Sequence, residues 1–187
     1  MRLFLAISLP TALRADLLLG TAPLRDAASA VRWLGPEKLH ITVRFIGEQP
    51  ESFVPRAVAA LAAAAQQTPA LEIALRGLGA FPSWSRARVI WAGVGYDPRL
   101  ELLHHDLELA CIALGLEVEG RPFRPHITLA RLLPGERDSG RAIRLAARPL
   151  RVRGGFRCAS VELMQSIPHA TGHDYARVAS IPLGSTR

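Results

Sequence analysis

Two periods of apolar residues run through the chain. RLFLAISL (2–9), KLHITVRFIG (38–47), LEIALRGLGAF (71–81), ARVIWAGV (87–94) and RPFRPHITLARL (121–132) are compact apolar runs with many β-branched or aromatic residues, punctuated by Gly and Pro, and predict strands. VRWLG (31–35) predicts a shorter one, ended by the Gly35-Pro36 turn. Between them, TALRADLLLG, SFVPRAVAALAAAAQQ and PRLELLHHDLELACIALG have helical spacing. Thr11 is a candidate N-cap for the first, Pro55 sits near the start of the second, and Gly115 stops the third. GERDSGRAIRLAAR is a weaker helical stretch, and RVRGGFRCASVELMQS and DYARVASIPL close the chain with more strand.

Two of the predicted strands carry nearly the same tetrapeptide. HITV occupies 40–43 and HITL 126–129, an offset of 126 − 40 = 86 residues. The same offset relates Arg2 to Arg88, each 38 residues before its histidine, and Pro36 to Pro122, each four residues before it. In both halves the order is strand, helix, Pro-containing turn, motif strand. Self-similarity in register is the mark of an internal repeat. The expectation is one bilobal domain over 1–187, with repeats of about 2–86 and 88–173 and a C-terminal strand completing the fold.

Side chains alternate across a strand. Leu39, Ile41, Val43 and Phe45 are therefore expected on one face of the first motif strand, with His40, Thr42 and Arg44 on the other. In the second, Ile127 and Leu129 oppose His126 and Thr128. A single copy would read as a hydrogen-bonded, partly buried histidine beside a threonine of high strand propensity. Two copies in register, packed about a pseudo-twofold axis, instead bring two imidazoles and two hydroxyls together across a cleft. That set suits phosphodiester chemistry. One neutral imidazole takes a proton while a protonated one gives a proton to the leaving oxygen. Hydroxyls donate hydrogen bonds to the non-bridging oxygens as charge builds there.

Composition narrows the setting. The 187 residues are 49% hydrophobic and 21% charged, enough to bury a core. No apolar run reaches the roughly 18 residues of a membrane helix. The apolar N-terminal run stops at Pro10, with Arg14 and Asp16 following and no small-residue cleavage site, so a strand and helix fit better than a signal peptide. Cys111 and Cys158 lack metal or redox spacing and read as buried thiols of a reducing compartment, with a disulfide as the lesser alternative. The net charge of +7 comes almost wholly from arginine, since Lys38 is the sole lysine. Guanidinium forks match phosphate oxygens, although GC-rich coding also enriches Arg and Ala. GxGxxG, P-loop, GxSxG and CxxC patterns are absent.

The paired HITV and HITL motifs resemble the HxTx signature of the two-histidine (2H) phosphoesterases. With RLFLAISLP, LHITVRFIGE, SRARVIWAGV, RPFRPHITLAR and VELMQS around them, the chain most resembles RNA 2′,3′-cyclic phosphodiesterases, historically called 2′-5′ RNA ligases, over nearly its whole length. The resemblance implies an α+β fold, bilobal and LigT-like, with two antiparallel sheets lining a central cleft and helices outside. It implies no metal and no cofactor, and hydrolysis of a terminal 2′,3′-cyclic phosphate on RNA to a 2′-phosphomonoester, with 2′-5′ ligation as the reverse direction. By matching position His40 becomes the proton donor, His126 the proton acceptor, and Thr42 and Thr128 phosphate binders. Arg131, ending HITLAR, is a further phosphate-binding candidate. Strict alternation puts it opposite His126, so it serves only if the strand ends or bulges first. Arg44 lies on the histidine face by alternation, without a family motif to support it. The implied partners are RNA ends, tRNA-derived ones among them, with no membrane association and a monomer in the cytoplasm.

Other groups compete for attention. Phe4 and Phe123 are candidates for stacking on a base, against ordinary core packing. Arg86 and Arg88 with Trp84 and Trp91 are candidates for an RNA-facing surface, against strand-edge charges beside core tryptophans. His104-His105 reads as helix surface or packing. His169 and His173 have helical metal-pair spacing, but Pro168 and Thr171-Gly172 argue for a turn. The rival functions are a non-catalytic RNA-end-binding module and a 2H enzyme acting on a small cyclic nucleotide or an ADP-ribose derivative.

Overall fold

The structure, a computed structural model, describes residues 1–28, 31–132, 137–170 and 172–185. The chain runs β1 (Arg2–Ser8), α1 (Thr11–Gly20), α2 (Ala22–Ala27), β2 (Arg32–Trp33), β3 (His40–Glu48), α3 (Phe53–Ala65) and β4 (Leu71–Phe81). It continues through β5 (Val89–Val94), α4 (Pro98–Ala113), β6 (His126–Arg131), α5 (Arg137–Ala147), β7 (Arg153–Cys158), β8 (Ser160–His169) and β9 (Gly172–Pro182). Among the described residues, no helix is long and apolar enough to cross a membrane. Thr11 is the first helical residue of α1, preceded by Pro10, and makes no side-chain cap. A side-chain cap is present on α4, where Asp97 accepts from the Arg99 backbone N–H at 2.8 Å. The helix ends ahead of Gly115, whose φ of +90° is the left-handed conformation glycine tolerates.

All ladders are antiparallel, in the order β7-β4-β5-β6-β3-β1-β8-β9, with β2 added on β6. The two expected sheets are thus halves of one hydrogen-bonded surface. Among the described residues they are joined at a single position, the Ile41–Ile127 pair of β3 and β6. The order reads alike from both ends under the 86-residue offset: β6 stands to β5 as β3 stands to β1. β4, from the first half of the chain, pairs with β5 of the second, while β8 returns to pair with β1. Helices α3 and α4 pack together behind the β3–β1–β8–β9 half and α1 meets β7 behind the other, while α2 packs on α5, which also meets the turn at 84–86.

Leu39, Ile41, Ile127 and Leu129 are fully buried on the helix-facing side, as alternation requires. Alternation then fails at the same place in both motif strands. In β3, Thr42 pairs with Ala6 but Arg44 pairs with Leu5, leaving Val43 as an extra residue. In β6, Thr128 pairs with Trp91 but Ala130 with Ile90, leaving Leu129 extra. Each is a β-bulge, and it sends the residues after it to the opposite face from the one strict alternation predicts.

The bulge corrects the expectation for Arg44. It is only 3% exposed and points away from the histidine face, into the helices. There its Nε and Nη2 donate to Glu108 of α4, and its Nη1 donates to the Phe45 carbonyl at 2.9 Å. Burial raises the Glu108 carboxyl, but the Arg44 hydrogen bonds and the Glu119 backbone N–H at 2.8 Å outweigh it, and the net shift is downward. Removing one partner of a buried ion pair strands the other charge. Arg44→Ala is expected to lower stability by roughly 3–5 kcal/mol in urea unfolding near neutral pH. The apolar pair Arg44→Met/Glu108→Leu should recover most of that loss.

Candidate active site

The single rung between β3 and β6 decides which groups meet. Extending the Ile41–Ile127 register by one residue on each side sets His40 opposite Thr128 and Thr42 opposite His126. Both histidines and both threonines are partly exposed on the sheet face away from the helices.

The two imidazoles are held alike. The Nδ1 of His40 lies 2.8 Å from the Lys38 carbonyl, and the Nδ1 of His126 lies 2.6 Å from the Arg124 carbonyl. A carbonyl only accepts, so Nδ1 carries the proton in each and the neutral ring leaves Nε2 with its lone pair. The Nε2 of His40 is 3.1 Å from the Thr42 hydroxyl, which can donate to it. Burial lowers the pKa of His40 to about 4, helped by the positive charge of Arg131, His126 and Arg14 and opposed by the Lys38 carbonyl. Burial and Arg131 also lower that of His126, again against its carbonyl bond. Both rings are therefore poised as neutral bases.

Arg131 is exposed, one residue past the bulged pair Leu129–Ala130. Its position is the one the alternation rule alone would have denied it. The bulge returns it to the histidine face, close enough for its charge to act on both imidazoles. Phe45 occupies the equivalent position in β3, 86 residues earlier, and is 52% exposed.

Several groups around the histidines lie outside both motifs, and of these the sequence singled out only Phe4 and Trp91. Tyr175 of β9 sets its ring edge-on to His40, with centroids 5.1 Å apart, and Phe4 lies 5.2 Å from the same imidazole. Phe81 of β4 does the same for His126 at 4.9 Å, with Trp91 behind it. Gly79 makes room for the Trp91 indole, which any side chain there would strike. Arg14 of α1 contributes field at His40 although it belongs to neither motif. Lys38 reaches Asp174 at 3.0 Å, tying the β8–β9 hairpin beside His40. Phe45, expected on the apolar face, could have been found from its place in the 86-residue register, equivalent to Arg131 in the repeat.

The remaining candidates lie elsewhere. Phe4 faces the cleft but is 3% exposed, covered by its aromatic neighbours, so its face is not open to a base. Phe123 stacks on His104 at 4.1 Å, with the planes 6° apart, on the α4 side. His169 and His173 sit on opposite strands of the β8–β9 hairpin, bonded to Asp174 and Ser166 respectively. Cys111 and Cys158 are both free and buried.

A family model described as the 2′-5′ RNA ligase superfamily matches residues 13–167. An RNA 2′,3′-cyclic phosphodiesterase of Aeropyrum pernix is 33% identical over 171 residues, covering 88% of this chain and 96% of the relative. One from Geobacillus stearothermophilus is 38% identical over 114 residues, 59% of this chain, and the chain spans only 36% of that relative's length. A crystal structure of a Thermus thermophilus protein superposes with a TM-score of 0.81 at 26% identity, covering 100% of both chains.

The depressed histidine pKa has a measurable consequence. The unfolded chain binds a proton at His40 near pH 6.5, whereas the folded chain resists it down to about 4. Stability contributed through this group is thus complete above pH 6.5 and is lost as pH falls towards 4. Urea midpoints measured across that window should fall less steeply for His40→Gln than for the wild type.

Proposed function

Because the chain belongs to the 2′-5′ RNA ligase superfamily, we propose that its paired-histidine cleft hydrolyses the terminal 2′,3′-cyclic phosphodiester of RNA to a 2′-phosphomonoester. The observation that carries this reading is the shared orientation of His40 and His126. Each is locked through Nδ1 to a carbonyl two residues back, with Thr42 and Thr128 beside them across one rung.

In the proposed reaction His126 takes a proton from water through Nε2 as the water attacks phosphorus. The bond from phosphorus to O3′ breaks, and His40 gives its Nε2 proton to O3′. Thr42 and Thr128 donate to the non-bridging oxygens, and Arg131 offsets their charge. The protein by itself holds His40 neutral, so its acid form requires the negative phosphate beside it. The phosphate offsets the charge of Arg131 and Arg14 and favours an imidazolium. Substrate thus makes its own proton donor. The reverse reaction, 2′-5′ ligation, exchanges the two roles. The same reading takes residues 1–187 as one bilobal domain of repeats about 2–86 and 88–173. It places the protein on RNA ends as a cytoplasmic monomer, a setting that two free buried thiols suit.

The decisive measurement is turnover of an oligoribonucleotide bearing a 2′,3′-cyclic phosphate, in excess chelator, with the product phosphate identified. A 2′-monoester is expected; no turnover, or activity abolished by the chelator, would overturn the reading. His40→Ala and His126→Ala should each lose roughly 10²–10⁴-fold in kcat while remaining folded. The pH profile should be bell-shaped, with apparent values belonging to the coupled pair. Its alkaline limb should lie at higher pH for kcat than for kcat/KM, because bound phosphate raises the pKa of the acid. Coincident limbs would show that phosphate is not what protonates His40.

A further inference from the structure

A cavity of about 1170 Å³ lies outside the histidine cleft, at the far edge of the β4–β7 half. Its lining includes Arg76, Arg144, Arg148, Arg151 and Arg153, with Trp84 and Tyr96, and among the described residues contains no acidic side chain. We infer that this arginine-lined groove binds the phosphates of single-stranded RNA upstream of the cyclic end held by His40 and His126. The inference rests on the proposed function and names the part of the substrate that the histidine cleft does not touch.

Continuity of the sheet face is the first support. Phe81 contacts the His126 ring, which puts it on the histidine face of β4. The ladder to β5 skips from Leu78–Ala92 to Leu75–Val94, so β4 has an extra residue there. Leu75 and Leu78 both pack on the core, which leaves Arg76 on the face of Phe81 and His126. Arg153 is its direct partner on β7 and shares that face. Gly93, the partner of His126, has the Arg76 carbonyl so close that a side chain there would strike it. With strands about 4.8 Å apart, β4 lies only about 10 Å from β6. An RNA strand leaving the cleft across Trp91 reaches Arg76 and Arg153 without changing face.

Charge is the second support. Arg76 and Arg153 are opposite each other in a ladder, where like charges repel. Neither makes an ion pair among the described residues, nor do Arg144 and Arg148. Arg151 spends Nη1 on the Arg148 and Leu150 carbonyls, which shapes the loop leading into β7. Among the described acids beside these elements, Asp97, next to Tyr96, is paired with Arg99, and two more lie off the groove. Glu72 is opposite Arg157, further along the same ladder, and Asp16 lines a smaller cavity that shares Arg151 and Arg153. Folding alone gains nothing from facing guanidinium groups, and a polyanion supplies the missing charge. Tyr96, 82% exposed, adds a ring on which an unpaired base can stack.

The test compares KM for a cyclic mononucleotide with KM for a long single-stranded oligoribonucleotide ending in the same cyclic phosphate. The wild type should favour the oligonucleotide. Arg76→Ala/Arg148→Ala/Arg153→Ala should raise its KM on the order of tenfold or more, while leaving kcat and the mononucleotide KM unchanged. The slope of log affinity against log salt should shrink by about 2, since each lost phosphate contact on a single strand removes roughly 0.7. Equal KM values for both substrates in the wild type would overturn the groove, as would a variant that loses activity equally on both. If neither substrate turns over, the proposed function fails. The groove is then judged separately by fluorescence anisotropy with a labelled RNA lacking the cyclic phosphate. Binding weakened by the triple variant supports the groove, and unchanged binding rejects it.

Discussion

One backbone rung, Ile41 to Ile127, holds the candidate site together. Both side chains are fully buried on the helix side, so their position is set by core packing and not by the cleft. The groups on the opposite face are placed in consequence, since neighbours in a strand point to opposite faces. His40 and Thr42 flank one isoleucine, and His126 and Thr128 the other. Apolar burial thus aims four polar groups at one another, without requiring them to attract each other in the absence of a ligand.

The bulges beyond the rung turn a near-symmetric frame into a lopsided cleft. Val43 and Leu129 are extra residues at corresponding places, yet the next side chains differ. Arg44 enters the helix layer and is neutralised by Glu108, while Ala130, its counterpart, fills the same kind of buried place with a methyl group. One position further, Phe45 and Arg131 emerge on the cleft face. One wall is consequently aromatic, with Phe4, Phe45 and Tyr175 around His40. The other sets Phe81 and Trp91 around His126 and adds the charge of Arg131. Burial, and then the cations around it, depress the pKa of His40.

Much of the fold was legible in the sequence because it depends on local periodicity. The strand runs, the Ala-rich helix and the Gly115 stop reflect short-range patterns that survive folding unchanged. The pairing of β4 with β5, and of β8 with β1, was not legible in the same way. Backbone hydrogen bonds carry no side-chain identity, so a strand's partner is chosen by where the connecting helices pack.

The sequence by itself determined that two histidine–threonine pairs share a register 86 residues apart, and that each pair sits opposite an apolar face. Tertiary structure decided everything that depends on one inserted residue. Arg44, on the histidine face by counting, is a buried partner of an acid, and Arg131, off that face by counting, stands on it. A bulge is a mismatch in length between paired strands, and its place is fixed only when both strands are present. The same holds for Tyr175, Phe81 and Arg14, which reach the imidazoles from elements that no sequence spacing connects to them.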